Sequence, residues 1–540
     1  MIFRPPFALV AIGLLAVVGV GWFVIAGPYS GDEGTRYVEA VVGAPSAVNP
    51  LLASLNEADS DLVELVFSGL TRLGPQGEIQ PDLAESWQIS SDGRTYVFRL
   101  RQDARWHDGA PFMADDVVFT YGLLASGSLP DDPSTAEFWR SVSCQKVDQR
   151  TLRCVLPAPF APFLASTTIG LLPSHLLKDV PPEEMGSRSL NGAAVGTGPY
   201  RLVRLSETSA QLSRNSRYYL GRPGIERLEL RFYADAQLAM AAVFRGEVMG
   251  MAVGPNVSRE DLETLTALDS LRVLTANGTA YTALYLNNAN SKFSDTRVRQ
   301  AIAHAIDRKA IIDGLLEGRA LRADSPIPPG TWANDVDIQT YDFDQGTARR
   351  LLDEAGWISE GGQVRAKDGV TLAFSLLTDL DPVRRAVAQE IARELAEIQV
   401  AVTVVPLGGT SLLESFLLPQ RYETAIFGFD PGFDPDPYPA WHSSRSGGKG
   451  LNLAGYVSAQ ADDLMERARQ ESDQQRRRDL YLQFQERFAM DAPAFLLYYP
   501  LYSYVIDESV QDVRLGTLFG LSSRLAGIHE WTIDRNVPVG

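Results

Sequence analysis

An α/β fold of two or more lobes is what this sequence predicts, and three observations carry the prediction. The chain has 540 residues, more than one hydrophobic core spans. From Leu372 to Leu407 the order is strand, helix, strand: an apolar run Leu372–Leu377, an amphipathic helix Val383–Ile398 and a β-branched run Val400–Val405. Such a unit sets its two strands parallel, with the helix crossing one face. Period-two stretches such as Tyr281–Asn288 also alternate with helical ones such as 296–308, where Val298, Ile302 and Ile306 recur every four residues.

Composition narrows the function classes. Hydrophobic residues make up 45% and charged residues 21%, as in an ordinary folded globule, and the formal charge is −18. That sign argues against nucleic-acid binding, which needs a basic face to displace counterions. No HExxH zinc-protease motif and no G-x-S-x-G elbow occurs, and the five histidines are scattered, so an enzyme is not expected.

At the N-terminus an apolar run covers 20 residues, Phe7 to Ala26, about the length that crosses a bilayer core. Arg4 precedes it and Asp32 and Glu33 follow it, which puts residues 1–6 in the cytoplasm and the remainder outside. Residues 1–26 are therefore a membrane anchor, or alternatively a signal sequence cut after Val24-x-Ala26. Both readings export the protein. Residues 27–36 are a glycine-rich polar linker.

Two cysteines suit that compartment. If Asp148, Gln149 and Arg150 form a three-residue turn, Val147 pairs with Thr151 and Cys144 falls opposite Cys154, within disulfide reach. Two buried free thiols are the alternative; a metal site lacks nearby histidines.

The chain then reads in order. Tyr37–Val42 is a strand, followed by the turn signal Asn49-Pro50. Asp61–Leu70 is helical, with Leu62, Leu65, Val66 and Leu70 on one face; Phe67 is a core or a cleft residue. Within Leu83–Gly109, strand Thr95–Leu100 is entered through Ser91-Asp92-Gly93, a hairpin turn of the Asp-Gly type. Met113–Tyr121 is a helix with Asp115 and Asp116 in its first turn, where the helix dipole favours negative charge. Three prolines keep 157–163 out of any helix interior. Gly196-Thr197-Gly198-Pro199 leads straight into the strand from Tyr200, and because no helix opens after it a dinucleotide fingerprint is rejected. Strands at Gln211–Arg214 and Ile225–Phe232, a helix Asp235–Gly246, and a helix Asp344–Gly356 with a glycine stop follow. Strand Thr424–Phe429 runs into 430–438, a loop with three aspartates whose spacing does not match a helix–loop–helix calcium site. Residues 461–487 are helical, and 492–500 form a strand.

The succession Ala84, Glu85, Trp87, Asp92-Gly93, Thr95-Tyr96, Phe98, Leu100-Arg101, Asp103 and Trp106-x-Asp108-Gly109 resembles the signature of the family 5 solute-binding proteins, the dipeptide, oligopeptide and nickel receptors of ABC importers. Gly196–Tyr200, 281–308 and Asp344–Trp357 are similar to further landmarks of that family. The chain departs from it in three places: Gly27 stands where many relatives carry a lipidated cysteine, Gly246–Met249 lacks the usual aspartate, and Phe429 stands where tryptophan is usual.

The resemblance implies a two-lobed periplasmic-binding-protein-like fold (class C, type II) with mixed sheets and two interlobe crossovers. Lobe I would combine 37–70, 191–280 and 503–540, with 71–190 as its subsidiary subdomain. Lobe II would be 281–502, hinged near 281–290 and 493–502. The loop after Phe429 resembles the family's "G-W-…-D-P-D" ligand loop, with Phe429 in the place of tryptophan and Asp430 as the acidic group for a peptide amine. The other reading is a turn stiffened by prolines with solvated aspartates. Asn49, Phe67, Trp441, Tyr498 and Tyr499 complete the expected ligand-binding set. The implied function is an extracytoplasmic, monomeric receptor that passes a peptide or other small solute to ABC permease subunits, without a cofactor. A membrane-tethered sensor acting through a partner, and an exported hydrolase, are the alternatives.

Overall fold

The computed structural model describes residues 34–52, 56–127, 133–184, 194–254 and 257–534. The expected anchor at 7–26 and most of the 27–36 linker lie outside them. Among the described residues no helix is long and apolar enough to cross a membrane.

Twelve strands form one mixed sheet. Across it the order is 401–406, 373–378, 424–429, 281–286, 494–507, 250–253, 36–42, 227–233, 209–214 and 200–205, and strands 271–277 and 320–322 also pair with 494–507. The strand–helix–strand reading holds: Ala373–Thr378 and Ala401–Pro406 run parallel, joined by helix Pro382–Glu397, which Asp381 caps through the Arg384 amide. Strand Ala494–Asp507 joins the two halves of the sheet. Its residues 494–498 pair with 282–285, while 501–507 pair with 271–277. The chain therefore first passes between halves at 278–280, just ahead of the expected 281–290, and again within 494–507.

On one side of that passage the core gathers Tyr37, Phe98, Trp106 and Trp531; on the other it gathers Leu284, Val298, Ile302 and Ile391, with a further cluster around Tyr281, Trp441 and Tyr481. A separate four-stranded sheet carries the hairpin, Ala84–Ile89 against Thr95–Leu100, next to 151–155 and 143–148. Gly93 at its turn has φ +67°, the conformation the Asp-Gly reading requires.

Cys144 and Cys154 sit opposite one another and are joined in a disulfide, with Cα atoms 4.0 Å apart. The turn differs from expectation. Asp148, not Val147, pairs with Thr151, so the turn has two residues, and a register shift between Lys146 and Asp148 leaves Val147 unpaired and exposed. One extra residue in the strand offsets one fewer in the turn, so the cysteines keep their register. Replacing both by serine is expected to cost about 2–3 kcal/mol, from a loop closed across a separation of 10 residues. Denaturant unfolding reads that loss; two free thiols in unreduced wild-type protein would refute the bond.

Two helices differ in extent. The one expected at 61–70 runs Glu57–Val66, because Asn56 caps it through the amides of Ala58 and Asp59. It ends where Gly69 meets the 167–168 backbone so closely that a Cβ there would lie 2.4 Å from the Thr168 carbonyl oxygen. Residues 461–487 are two helices, Ala459–Gln470 and Gln474–Asp491; Asp473 caps the second through the Arg476 amide and breaks the run.

Two buried devices hold the half that carries the N-terminal strand. Arg524 donates to Glu39 at 2.9 Å and grips Asp61 with both terminal nitrogens at 2.7 and 2.6 Å; Tyr504 donates to Glu39 at 2.7 Å. All three charged residues are 4% exposed or less. The second is His107 of the hairpin's closing loop. Its backbone amide donates to the Gly196 carbonyl, its Nδ1 faces the Gly196 amide at 3.3 Å and its Nε2 lies 3.0 Å from the Gly198 carbonyl. An amide only donates, so Nδ1 is the acceptor and Nε2 carries the hydrogen. Burial pushes this imidazole down to about 4, so it is neutral at pH 7.

Candidate functional site

The site is built where the chain passes between halves. Strand Thr424–Phe429 lies antiparallel to Tyr281–Leu286, so Phe429 falls opposite Tyr281, with ring centroids 5.7 Å apart. Asp430 follows at the exposed strand end. Its Oδ1 accepts from the Thr279 hydroxyl at 2.7 Å and from the Gly432 amide at 2.9 Å. Oδ2 accepts no hydrogen bond among the described residues, so one carboxylate oxygen is positioned and the other is open. Tyr502, on strand 494–507, packs against Gly278; a Cβ there would lie 2.6 Å from its ring. Burial raises the Tyr502 hydroxyl first, and the Asp430 and Glu57 carboxylates add to the shift. An exposed carboxylate with one oxygen held and the other open suits a cationic group such as an ammonium.

The remaining expected residues are placed differently. Trp441 is 1% exposed, stacked on Tyr285 and edge-on to Phe488; it is a core residue behind the wall, not on it. Neighbours on a strand face opposite ways, so Tyr498 and Tyr499 cannot both face one ligand. Tyr499 is buried against Tyr281 and donates to the Ser325 carbonyl. Tyr498 is buried too; burial raises its hydroxyl, which faces Thr282, Arg384, Asp381 and Asp379. Asn49 is buried and its side chain accepts from the Leu51 amide. Phe67 is also buried, and both Phe67 and Pro50 pack over Gly170. Only Phe429 and Asp430 of the set reach the surface.

Two of the three aspartates of the acidic loop are held in ion pairs. Asp434 takes both terminal nitrogens of Arg477, at 2.8 and 2.5 Å, and Asp436 pairs with Arg469 at 2.8 Å. The prolines and these two ion pairs fix the loop, leaving Asp430 as its open carboxylate. Thr279, Tyr502 and Glu57 escaped the sequence reading. A lone glycine ahead of an alternating strand, Gly278, was the available signal of close backbone approach.

Comparison with known proteins agrees with this architecture. The sequence profile described as bacterial extracellular solute-binding proteins, family 5 Middle, matches residues 78–450. The oligopeptide-binding protein AppA of Bacillus subtilis is 29% identical over 493 residues, covering 89% of each chain. Its crystal structure with a nonapeptide superposes with TM-score 0.68 at 26% identity, over 93% of this chain and 99% of that one. NikZ of Campylobacter jejuni, solved with Ni(L-His), gives TM-score 0.70 at 27% identity over 92% and 99%.

Proposed function

Because the chain belongs to the family 5 bacterial extracellular solute-binding proteins, we propose that it is a peptide receptor serving an ABC importer, and that Asp430 takes the peptide's amino group. The half-committed Asp430 carboxylate carries this reading: Thr279 and Gly432 orient one oxygen and leave the other for an ammonium. Phe429 and Tyr502 supply apolar and phenolic walls. Asp430→Asn is expected to weaken a peptide with a free amino terminus by about 1.5–3 kcal/mol, roughly tenfold to a hundredfold, and to leave its N-acetylated form unaffected. Titration calorimetry on both peptides checks this; equal losses for the two would sink the assignment.

Binding couples to closure. The lobes proposed are 37–70 with 191–280 and 503–540, the subsidiary 71–190, and 281–502. Contacts between them support a closed form: Ala161 donates to the Arg469 carbonyl at 2.6 Å, the Arg469 guanidinium lies 5.0 Å from the Phe160 ring, and Trp332 donates to the Gln76 carbonyl at 2.9 Å. Solute must favour that state for closure to report loading to a permease. The receptor works outside the cytoplasm, tethered by 7–26. Intact mass of membrane-extracted protein is expected to retain residues 1–26; a chain starting near residue 27 would replace the tether with a cleaved signal.

A further inference from the structure

Away from that passage, an open pocket of about 280 Å³ lies between the hairpin's closing loop and the turn after strand 209–214. Arg105, Arg201, Arg214 and Arg217 line it, in a chain whose formal charge is −18. Among the described residues, only Arg214 of the four has a carboxylate at ion-pair distance, Glu226 at 2.6 Å. Among the described residues the Arg105 side chain donates only to the Gly109 carbonyl, at 3.2 Å, and the Arg201 side chain only to the Ser213 hydroxyl, at 3.3 Å. The Arg217 side chain makes no hydrogen bond among the described residues, though its backbone amide is held by Asn215. The one acid in the lining, Asp108, is engaged by His175 at 2.7 Å.

The scaffold under these arginines is hydrogen-bonded to a single segment. Asn215 donates through its side chain to the Gly198 carbonyl and through its amide to the Pro199 carbonyl, while His107 fastens the opposite wall to Gly196 and Gly198. Both walls therefore hang from the same Gly196–Pro199 segment, which places the four arginines around one pocket. Guanidinium forks match the paired oxygens of phosphate and carboxylate groups, and a fixed scaffold reduces the ordering such binding requires. Elsewhere the acidic surface repels anions, which concentrates any anion binding at this patch.

We propose that this pocket binds a small soluble polyanion bearing two or more phosphate or carboxylate groups, at a site separate from the Asp430 passage. The test is titration calorimetry of the full chain in neutral detergent against pyrophosphate, citrate and a water-soluble short-chain phosphatidylglycerol. Saturable binding of pyrophosphate or citrate is expected, weakened about tenfold or more by Arg105→Ala with Arg217→Ala, both exposed positions. Peptide binding should be unchanged in that variant, which also certifies its fold. Absence of saturable binding, or equal binding by the variant, overturns the proposal; tighter binding of the phosphatidylglycerol overturns the assignment to a soluble ligand.

Discussion

Replacing Arg524 by alanine is expected to destabilise the folded chain by roughly 3–5 kcal/mol, since it leaves two buried carboxylates without their counter-charge. Glu39 and Asp61 are 0% and 2% exposed, so the guanidinium fork is the counter-charge both are buried against. Tyr504 and Tyr37 both hydrogen-bond Glu39 and would be left to solvate it alone. Arg524→Lys should recover only part of the loss, because one ammonium cannot span Asp61 in two parallel bonds and also reach Glu39. Neutralising the whole group with Glu39→Gln, Asp61→Asn and Arg524→Met should be milder than the single alanine change, as removing a buried network costs less than breaking it. Equilibrium urea unfolding measures all three; an Arg524→Ala midpoint equal to wild type would sink the account.

Acid should weaken the protein through His107. Its folded value of about 4 lies below the ordinary 6.5, so the unfolded chain takes up the proton first as pH falls. The imidazole's contribution is therefore complete above pH 6.5 and is lost between 6.5 and about 4. At about 1.4 kcal/mol per pH unit, the full loss is about 3 kcal/mol. Other buried groups act with the opposite sign in the same window. Burial raises Glu64 to about 7, Asp82 to about 6 and Glu394 to about 7, so each favours the folded state at low pH and disfavours it as pH rises. The quantity to measure is accordingly a difference: unfolding free energy of wild type minus that of His107→Gln, from pH 7 to pH 4. It should shrink as pH falls; a difference independent of pH would refute the neutral clasp.

What the sequence disclosed follows from the range over which each feature is encoded. Strand Thr424–Phe429, the 373–406 unit and the helix capped by Asp344 are written in adjacent residues, and they stand within a residue or two of expectation. The Glu39–Arg524–Asp61 group joins residues 485 and 463 positions apart, and no local pattern announces it. The same holds for Asp434 and Asp436, whose partners Arg477 and Arg469 lie on later helices. In the candidate site, residue type located Phe429 and Asp430. It did not say which face of the sheet Tyr498 and Tyr499 would take, or that Trp441 would turn into the core from its short helix, because an aromatic suits a core as well as a ligand wall. The compensating shift at Val147 was hidden for a further reason: turn length and strand register trade against each other, and both solutions place Cys144 opposite Cys154.

Strand Ala494–Asp507 has one more implication. In space it stands in the middle of the twelve-stranded sheet, yet in chain order it follows every other strand of that sheet. Neither half can finish its hydrogen-bond ladder until this segment has been synthesised and threaded between strands made hundreds of residues earlier. Pairings of such long sequence separation form slowly, and a chain emerging from one end stays incomplete until they do. The late arrival of the central strand therefore holds the sheet open until the end of synthesis.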